Sequence, residues 1–129
     1  MRLLVDTHLL LWSMAASGKL PAAARELLKD PVNTVFYSAA SVWEIAIKSA
    51  LRRRNFHVDL PRFLRALSNT GFDELPVTAA HAARIASLSD LHKDPFDRLL
   101  VAQALAESAV LLTNDAQLKG YGAQVRFVG

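Results

Sequence analysis

Leu3-Leu4-Val5 is an unbroken apolar run that stops abruptly on Asp6, and it narrows the folds open to this chain more than any other stretch. Three apolar side chains in succession, with no polar alternation, fit a strand covered on both faces, as in the middle of a parallel sheet. A carboxylate at the carboxyl end of such a strand stands where ligands bind in open α/β sheets, because the loops leaving the strands and the amino ends of the helices meet there. What else arrives at that edge decides the chemistry.

The segments that follow alternate in character. Leu9 to Ala16 is apolar and helix-favouring, Ser17-Gly18-Lys19 stops it, and Pro21 begins a second helix at its first-turn position. Asn33 to Tyr37, rich in β-branched and aromatic residues, reads as a strand closed by Ser38. From about Ala40 to Arg53 the residues Val42, Ile45, Ala46, Ser49 and Ala50 recur with a helical period, which puts Glu44 one turn inside the amino end. Asn55 to Asp59 connects to a helix begun by Pro61 and ended by Asn69-Thr70-Gly71. Phe72 to Val77 is a short strand that Pro76 makes an edge or irregular one. Thr78 caps an alanine-rich helix to about Leu88, Ser89 to Lys93 is a polar loop, and Asp94-Pro95 opens a helix to about Glu107. Ala109 to Leu112 is a buried strand, a short helix reaches Gly120, and Gln124 to Val128 alternates as a last strand. Strands alternating with helices predict an α/β fold with a parallel sheet and right-handed crossovers.

With 129 residues, 52% of them hydrophobic, the chain can bury one sizeable core, and residues 1–129 read as a single domain. The absence of cysteine excludes disulfides, thiolate metal sites and cysteine nucleophiles together. No secretory signal precedes the first apolar run and no stretch nears the roughly 18 apolar residues of a membrane span, so a cytoplasmic protein without a membrane is expected. The formal net charge is +3. If acids gather at one edge, the remaining surface is more basic than this total, most of all from Lys48 to Arg54. A basic surface steers polyanions, although solvated cations on helix faces account for the same residues.

Four acids belong to that edge. Asp6 and Asp115 follow strands, whereas Glu44 and Asp97 are expected in the first turns of helices, and in a parallel sheet these positions share a rim. Each has a structural explanation of its own. Asp6 and Asp115 can cap the helices that follow them, Ser41-Val42-Trp43-Glu44 fits a capping box, Asp97 suits the helix dipole, and Glu44 and Lys48 are spaced as an i, i+4 pair. Together they demand more, because Ser, Thr or Asn cap without charge while gathered carboxylates repel and need protons or cations near neutral pH. A hard dication with oxygen ligands, Mg²⁺ or Mn²⁺, is the natural compensating charge. Zinc is less well supported without cysteine or a close histidine pair. An acid-lined Mg²⁺ site beside basic residues points to phosphate chemistry.

The series Leu4-Val5-Asp6-Thr7, Ser41-Val42-Trp43-Glu44-Ile45-Ala46, Asp94-Pro95-Phe96-Asp97-Arg98 and Leu112-Thr113-Asn114-Asp115 resembles a PIN domain. Length and spacing are similar to those of VapC-type toxins of toxin–antitoxin pairs. The resemblance covers essentially the whole chain, and four motifs in order are specific where each alone is weak. It implies a three-layer α/β/α sandwich around a central parallel β-sheet, and a metal-dependent endoribonuclease that hydrolyses RNA with Mg²⁺ or Mn²⁺. Asp6, Glu44, Asp97 and Asp115 match the family's acidic quartet and Thr113 its supporting hydroxyl. A homodimer and a small cognate antitoxin are implied as well.

Within this reading Asp6 and Asp97 are expected to bind metal directly, with Asp115 and Glu44 completing the site directly or through water. Thr7, Thr113 and Asn114 could orient ligand waters, though such residues are common at strand ends. Lys48, Arg52, Arg53, Arg54 and Arg98 are candidate RNA contacts; for Arg98 a structural ion pair serves equally well. Asp94 reads as a helix cap. His8 and His92 lie beside the acidic motifs, but no spacing makes either a general base, and both are left out of the catalytic set. Trp12 and Trp43 read as core or interface anchors before stacking platforms. Two other functions compete: an aspartate-phosphorylating α/β domain, which lacks its usual second acid in Asp6-Thr7-His8, and a PIN-like module that binds RNA or protein without catalysis.

Overall fold

The computed structural model describes residues 1–51 and 58–129. Five strands form one sheet: β1 (Arg2–Val5), β2 (Thr34–Ser38), β3 (Asp73–Leu75), β4 (Val110–Thr113) and β5 (Val125–Phe127). Their spatial order is β3-β2-β1-β4-β5, and every neighbouring pair is parallel. The short apolar run therefore is the central strand, with Leu4 in register between Phe36 and Leu111.

The pleat divides that run between two cores. Leu3 and Val5 pack with Leu9, Leu10, Ala24, Ile45, Phe63 and Leu67, side chains of α1 (Thr7–Met14), α2 (Ala22–Lys29), α3 (Ala39–Ala50) and α4 (Leu60–Ser68). Leu4 turns the other way, onto Leu100, Val101 and Ala104 of α6 (Pro95–Ala106), which also packs with α5 (Ala79–Arg84). Helices on both faces of a parallel sheet make the expected α/β/α sandwich, and both cores are closed by residues with 0% exposure in β1. Among the described residues no helix is long and apolar enough to cross a membrane.

Local chemistry sets most boundaries. Asp94 caps α6, accepting from the amides of Phe96 at 2.9 Å and Asp97 at 3.4 Å, with Pro95 in the first turn. Asp59 caps α4 through the Arg62 amide. Pro76 lies just beyond β3, the edge strand. Pro21 occupies the cap of α2 and not its first turn. The predicted capping box at Ser41 is replaced by an earlier cap: the Ser38 hydroxyl accepts from the Ala40 amide at 3.0 Å, so the helix starts at Ala39 and Glu44 lies in its second turn. α3 ends at Ala50, short of the predicted Arg53, and Arg52, Arg53 and Arg54 lie outside the described residues. The helix predicted to run to Leu88 ends at Arg84 and tightens into a 3-10 turn over Ile85–Ser87. There the Ser87 hydroxyl donates to the Arg84 carbonyl at 2.8 Å, and Leu88 turns extended.

The chain lays β1, β2 and β3 outward in one direction, then crosses to the other side of β1 for β4 and β5. The crevice between the carboxyl ends of β1 and β4 is therefore the topological switch point of the sheet. Asp6 and Asp115 follow those two strands.

Candidate active site

Asp6 does two jobs at once. Its Oδ1 accepts from the Leu9 amide at 2.9 Å, capping α1, and its Oδ2 accepts from the Thr113 hydroxyl at the end of β4. The same Thr113 oxygen accepts from the Asp115 amide at 3.0 Å. One hydroxyl thus ties the ends of β1 and β4 together, with Asp6 only 4% exposed. Asp115 caps a 3-10 turn over Ala116–Tyr121 through the Gln117 amide at 2.9 Å, which leaves its Oδ2 facing the crevice.

Glu44 enters from α3. Its Oε1 lies 2.8 Å from the Thr7 hydroxyl and its Oε2 2.6 Å from Lys48 Nζ. Thr7 Oγ1 is also 2.9 Å from Ser41 Oγ. Since Thr7 has one proton and a carboxylate can only accept, that proton goes to Glu44 and Ser41 supplies the other hydrogen bond. The i, i+4 pair expected for Glu44 and Lys48 is present, and it holds Lys48 beside the acids.

Asp97 projects from the first turn of α6 with 22% of its side chain exposed. Burial pushes its pKa up to about 7; the charges of Asp94, Glu44 and Asp6 add to the rise and His92 opposes it. Burial likewise raises Asp6, against the lowering effect of the Thr113 and Leu9 hydrogen bonds, and Asp115 adds to the rise. Two acids whose ionisation is resisted in one crevice define a place that favours a cation.

His92, left out of the catalytic set on spacing, sits inside this cluster. Its Nε2 lies 3.1 Å from Asp115 Oδ2 and 3.4 Å from Asp97 Oδ2. Its Nδ1 accepts from the Asp94 amide at 3.0 Å. The loop carrying it is held by Tyr121, whose hydroxyl accepts from the His92 amide, and by Arg98, which donates to the carbonyls of Ser89 at 3.0 Å and His92 at 3.3 Å. Arg98 is thus engaged in the loop, and the structural ion pair expected as the alternative to a phosphate contact is made with exposed Asp90 at 3.8 Å. The adjacency of His92 to Asp94-Pro95-Phe96-Asp97 was the signal for it, but only the loop closure turns it inward.

Of the four acids named from sequence, Asp97 and Asp115 come within 4.8 Å of one another beside His92, Asp6 and Glu44 are near enough for their charges to act on Asp97, and Thr113 and Thr7 are bonded to Asp6 and Glu44. Asn114 is half-buried in the turn between Thr113 and Asp115. Arg52, Arg53 and Arg54, as RNA contacts, lie outside the described residues. Trp43 is 60% exposed, so it is no core anchor, and it meets Phe96 edge-on at 5.1 Å between ring centroids. His8 stacks obliquely on Trp12. Two open grooves of about 470 and 630 Å³ lie along the carboxyl end of α1, roughly 12 Å along that helix from Asp6, and are lined by none of the four acids.

The donor set fits a hard dication. Asp6, Glu44, Asp97 and Asp115 offer carboxylate oxygens, and one oxygen each from Asp97 and Asp115 lies within 4.8 Å of the other and of His92 Nε2.

The model of the PIN domain family matches residues 3–123, and the chain is a member of that family. No curated protein matches it by sequence. Among solved structures it is similar to VapBC2 from Rickettsia felis bound to a promoter DNA fragment, with a TM-score of 0.72 at 17% identity over 100% of both chains. VapBC-1 from nontypeable Haemophilus influenzae matches with a TM-score of 0.65 at 18% identity over 98% of each chain. VapBC-5 from Mycobacterium tuberculosis, of the VapBC family of toxin-antitoxin systems, matches with 0.61 at 20% identity over 98% of this chain and 97% of that one. At these identities the likeness is one of fold.

Proposed function

We propose that this PIN domain is a divalent-metal-dependent endoribonuclease, the toxin of a toxin–antitoxin pair. The observation that carries the reading is the convergence of four carboxylates at the switch point, with the ionisation of Asp97 resisted up to about pH 7. Such a cluster is unfavourable until a cation neutralises it. Asp6, Asp97 and Asp115 would hold Mg²⁺ or Mn²⁺, with Glu44 reaching it directly or through water. When bound, the ion supplies Lewis-acid stabilisation of a phosphodiester and a water of lowered pKa.

The chain's own residues prepare that place. Asp6 is fixed on both oxygens by Leu9 and Thr113, so it meets a cation without losing rotamer freedom. Thr7 and Lys48 orient Glu44. Asp97 gives up the proton that burial favours and becomes the carboxylate a dication needs.

Similarity in fold to VapBC structures supports the toxin role, and with it we propose a cognate antitoxin and a homodimer. The test is cleavage of total cellular RNA by purified protein with Mg²⁺ or Mn²⁺, with chelator, and with Asp6→Asn alongside. Discrete metal-dependent cuts that are absent from the variant are expected. Equal cleavage by Asp6→Asn refutes the site, and a protein with neither cleavage nor saturable Mn²⁺ binding is a binding module instead.

A further inference from the structure

His92 stands between the carboxylates of two of the four acids, Asp97 and Asp115, and its surroundings fix what it can do there. Nδ1 accepts the Asp94 amide hydrogen at 3.0 Å, so in the neutral ring Nε2 carries the hydrogen. That hydrogen points between Asp115 Oδ2 at 3.1 Å and Asp97 Oδ2 at 3.4 Å. Direct ligation through Nε2 would need the hydrogen moved to Nδ1, against the amide that already occupies it. The ring is therefore built as a donor to the carboxylates and not as a ligand.

Asp115 is the acid most in need of such a donor. Its side chain is 36% exposed, and the backbone contact that secures it, the Gln117 amide, engages the other oxygen. Asp97 comes from a different element, across the crevice. Without a hydrogen between them, two carboxylates on opposite walls repel, and Asp115 has solvent to turn into. Each carboxylate oxygen keeps a second lone pair, so a donated hydrogen and a cation can be accommodated by the same group. His92 is itself immobilised by Tyr121 and Arg98 through its amide and carbonyl, as a positioning group must be.

We infer that His92 is a positioning residue for the metal site: its Nε2–H sets Asp115 and Asp97 at the separation that a divalent cation bridges. The inference rests on the proposed metal-dependent reading of the same site. Hydrogen bonds that orient metal-binding groups typically change affinity by about 10–100-fold, and that range is expected here.

Two substitutions separate the carboxylate contact from the loop contact. In His92→Asn the amide oxygen can stand near Nδ1 and keep the Asp94 hydrogen bond, but no donor reaches the carboxylates. In His92→Gln the amide nitrogen can stand near Nε2 and keep that donor. Calorimetric Mn²⁺ titration of wild type and both variants, each checked for an unchanged fold by circular dichroism, provides the readout. The expected result is that His92→Asn binds Mn²⁺ at least tenfold more weakly while His92→Gln stays within about threefold of wild type. Wild-type affinity in His92→Asn makes the ring a loop anchor only and overturns the inference, as does equal loss in both variants, the pattern of a direct ligand. If wild type itself binds no Mn²⁺, the metal-site reading falls and this inference with it.

Discussion

Asp97→Asn tests the electrostatic argument where it is quantitative. The ordinary Asp value is 3.8 and burial beside Asp94, Glu44 and Asp6 raises that of Asp97 to about 7. An acid whose folded pKa exceeds its unfolded pKa binds its proton more tightly in the native state. Its contribution to stability is complete below about 3.8 and is lost as pH rises through 7. Each pKa unit corresponds to about 1.4 kcal/mol, so a shift of about three units amounts to roughly 4 kcal/mol. Partial exposure of the side chain discounts this to about 2 kcal/mol at pH 8.5, and more than half of it falls between pH 5 and pH 8.5. Asparagine has no such ionisation. In the presence of chelator the variant should therefore melt above wild type at pH 8.5, by about 8 °C at this chain length, with most of the gap closing at pH 5. Adding Mn²⁺ should reverse the order, because only wild type gains binding energy in the native state. Differential scanning calorimetry at the two pH values, with and without Mn²⁺, reads all four quantities. A gap independent of pH would falsify the claim that ionised Asp97 is held against its preference.

Thr113→Val removes the hydroxyl that donates to Asp6 and accepts from the Asp115 amide at a fully buried position. A loss of about 2 kcal/mol is expected, growing as pH rises above the ordinary Asp range because Asp6 loses a contact that favours its charged form; urea unfolding across a pH series measures it. Lys48→Met strips the cation from buried Glu44 and should cost about 1–3 kcal/mol. Combining it with Glu44→Gln should recover part of that loss, since the unpaired charge is gone; a double variant less stable than Lys48→Met would count against the pair.

The fold was legible because its strongest signals are local. Leu3-Leu4-Val5 announces a strand covered on both faces, and with parallel neighbours on each side that strand is the centre of the sheet. Asp94-Pro95 marks the start of α6 and Pro76 the end of the edge strand, since capping and ring geometry act within a few residues. The failures lie where two local solutions compete. Ser38 and Ser41 are both able to cap the third helix, and the serine at the end of β2 is the one held with its hydroxyl toward a free amide. The Thr78 cap and the alanine-rich run predict a helix to about Leu88, yet Ser87 captures a carbonyl and the chain leaves the helix early.

The acids at the rim were legible for a topological reason: a residue after a strand and a residue opening a helix share an edge in any parallel sheet, whatever their distance in sequence. His92 has no such position. It lies in a loop between a 3-10 turn and a helix cap, and nothing about a loop residue's spacing states which way it faces. Its orientation depends on Tyr121, which follows β4, and on Arg98, one turn into α6, both of which reach back to its backbone. The same closure explains why Arg98 faces the loop: its guanidinium meets carbonyl groups at Ser89 and His92 that the turn would otherwise leave without partners. Residues that hold ligands are thus set by strand and helix ends, while the residue that spaces them is set by a loop whose shape exists only when β4, α6 and the 3-10 turn after β4 have come together.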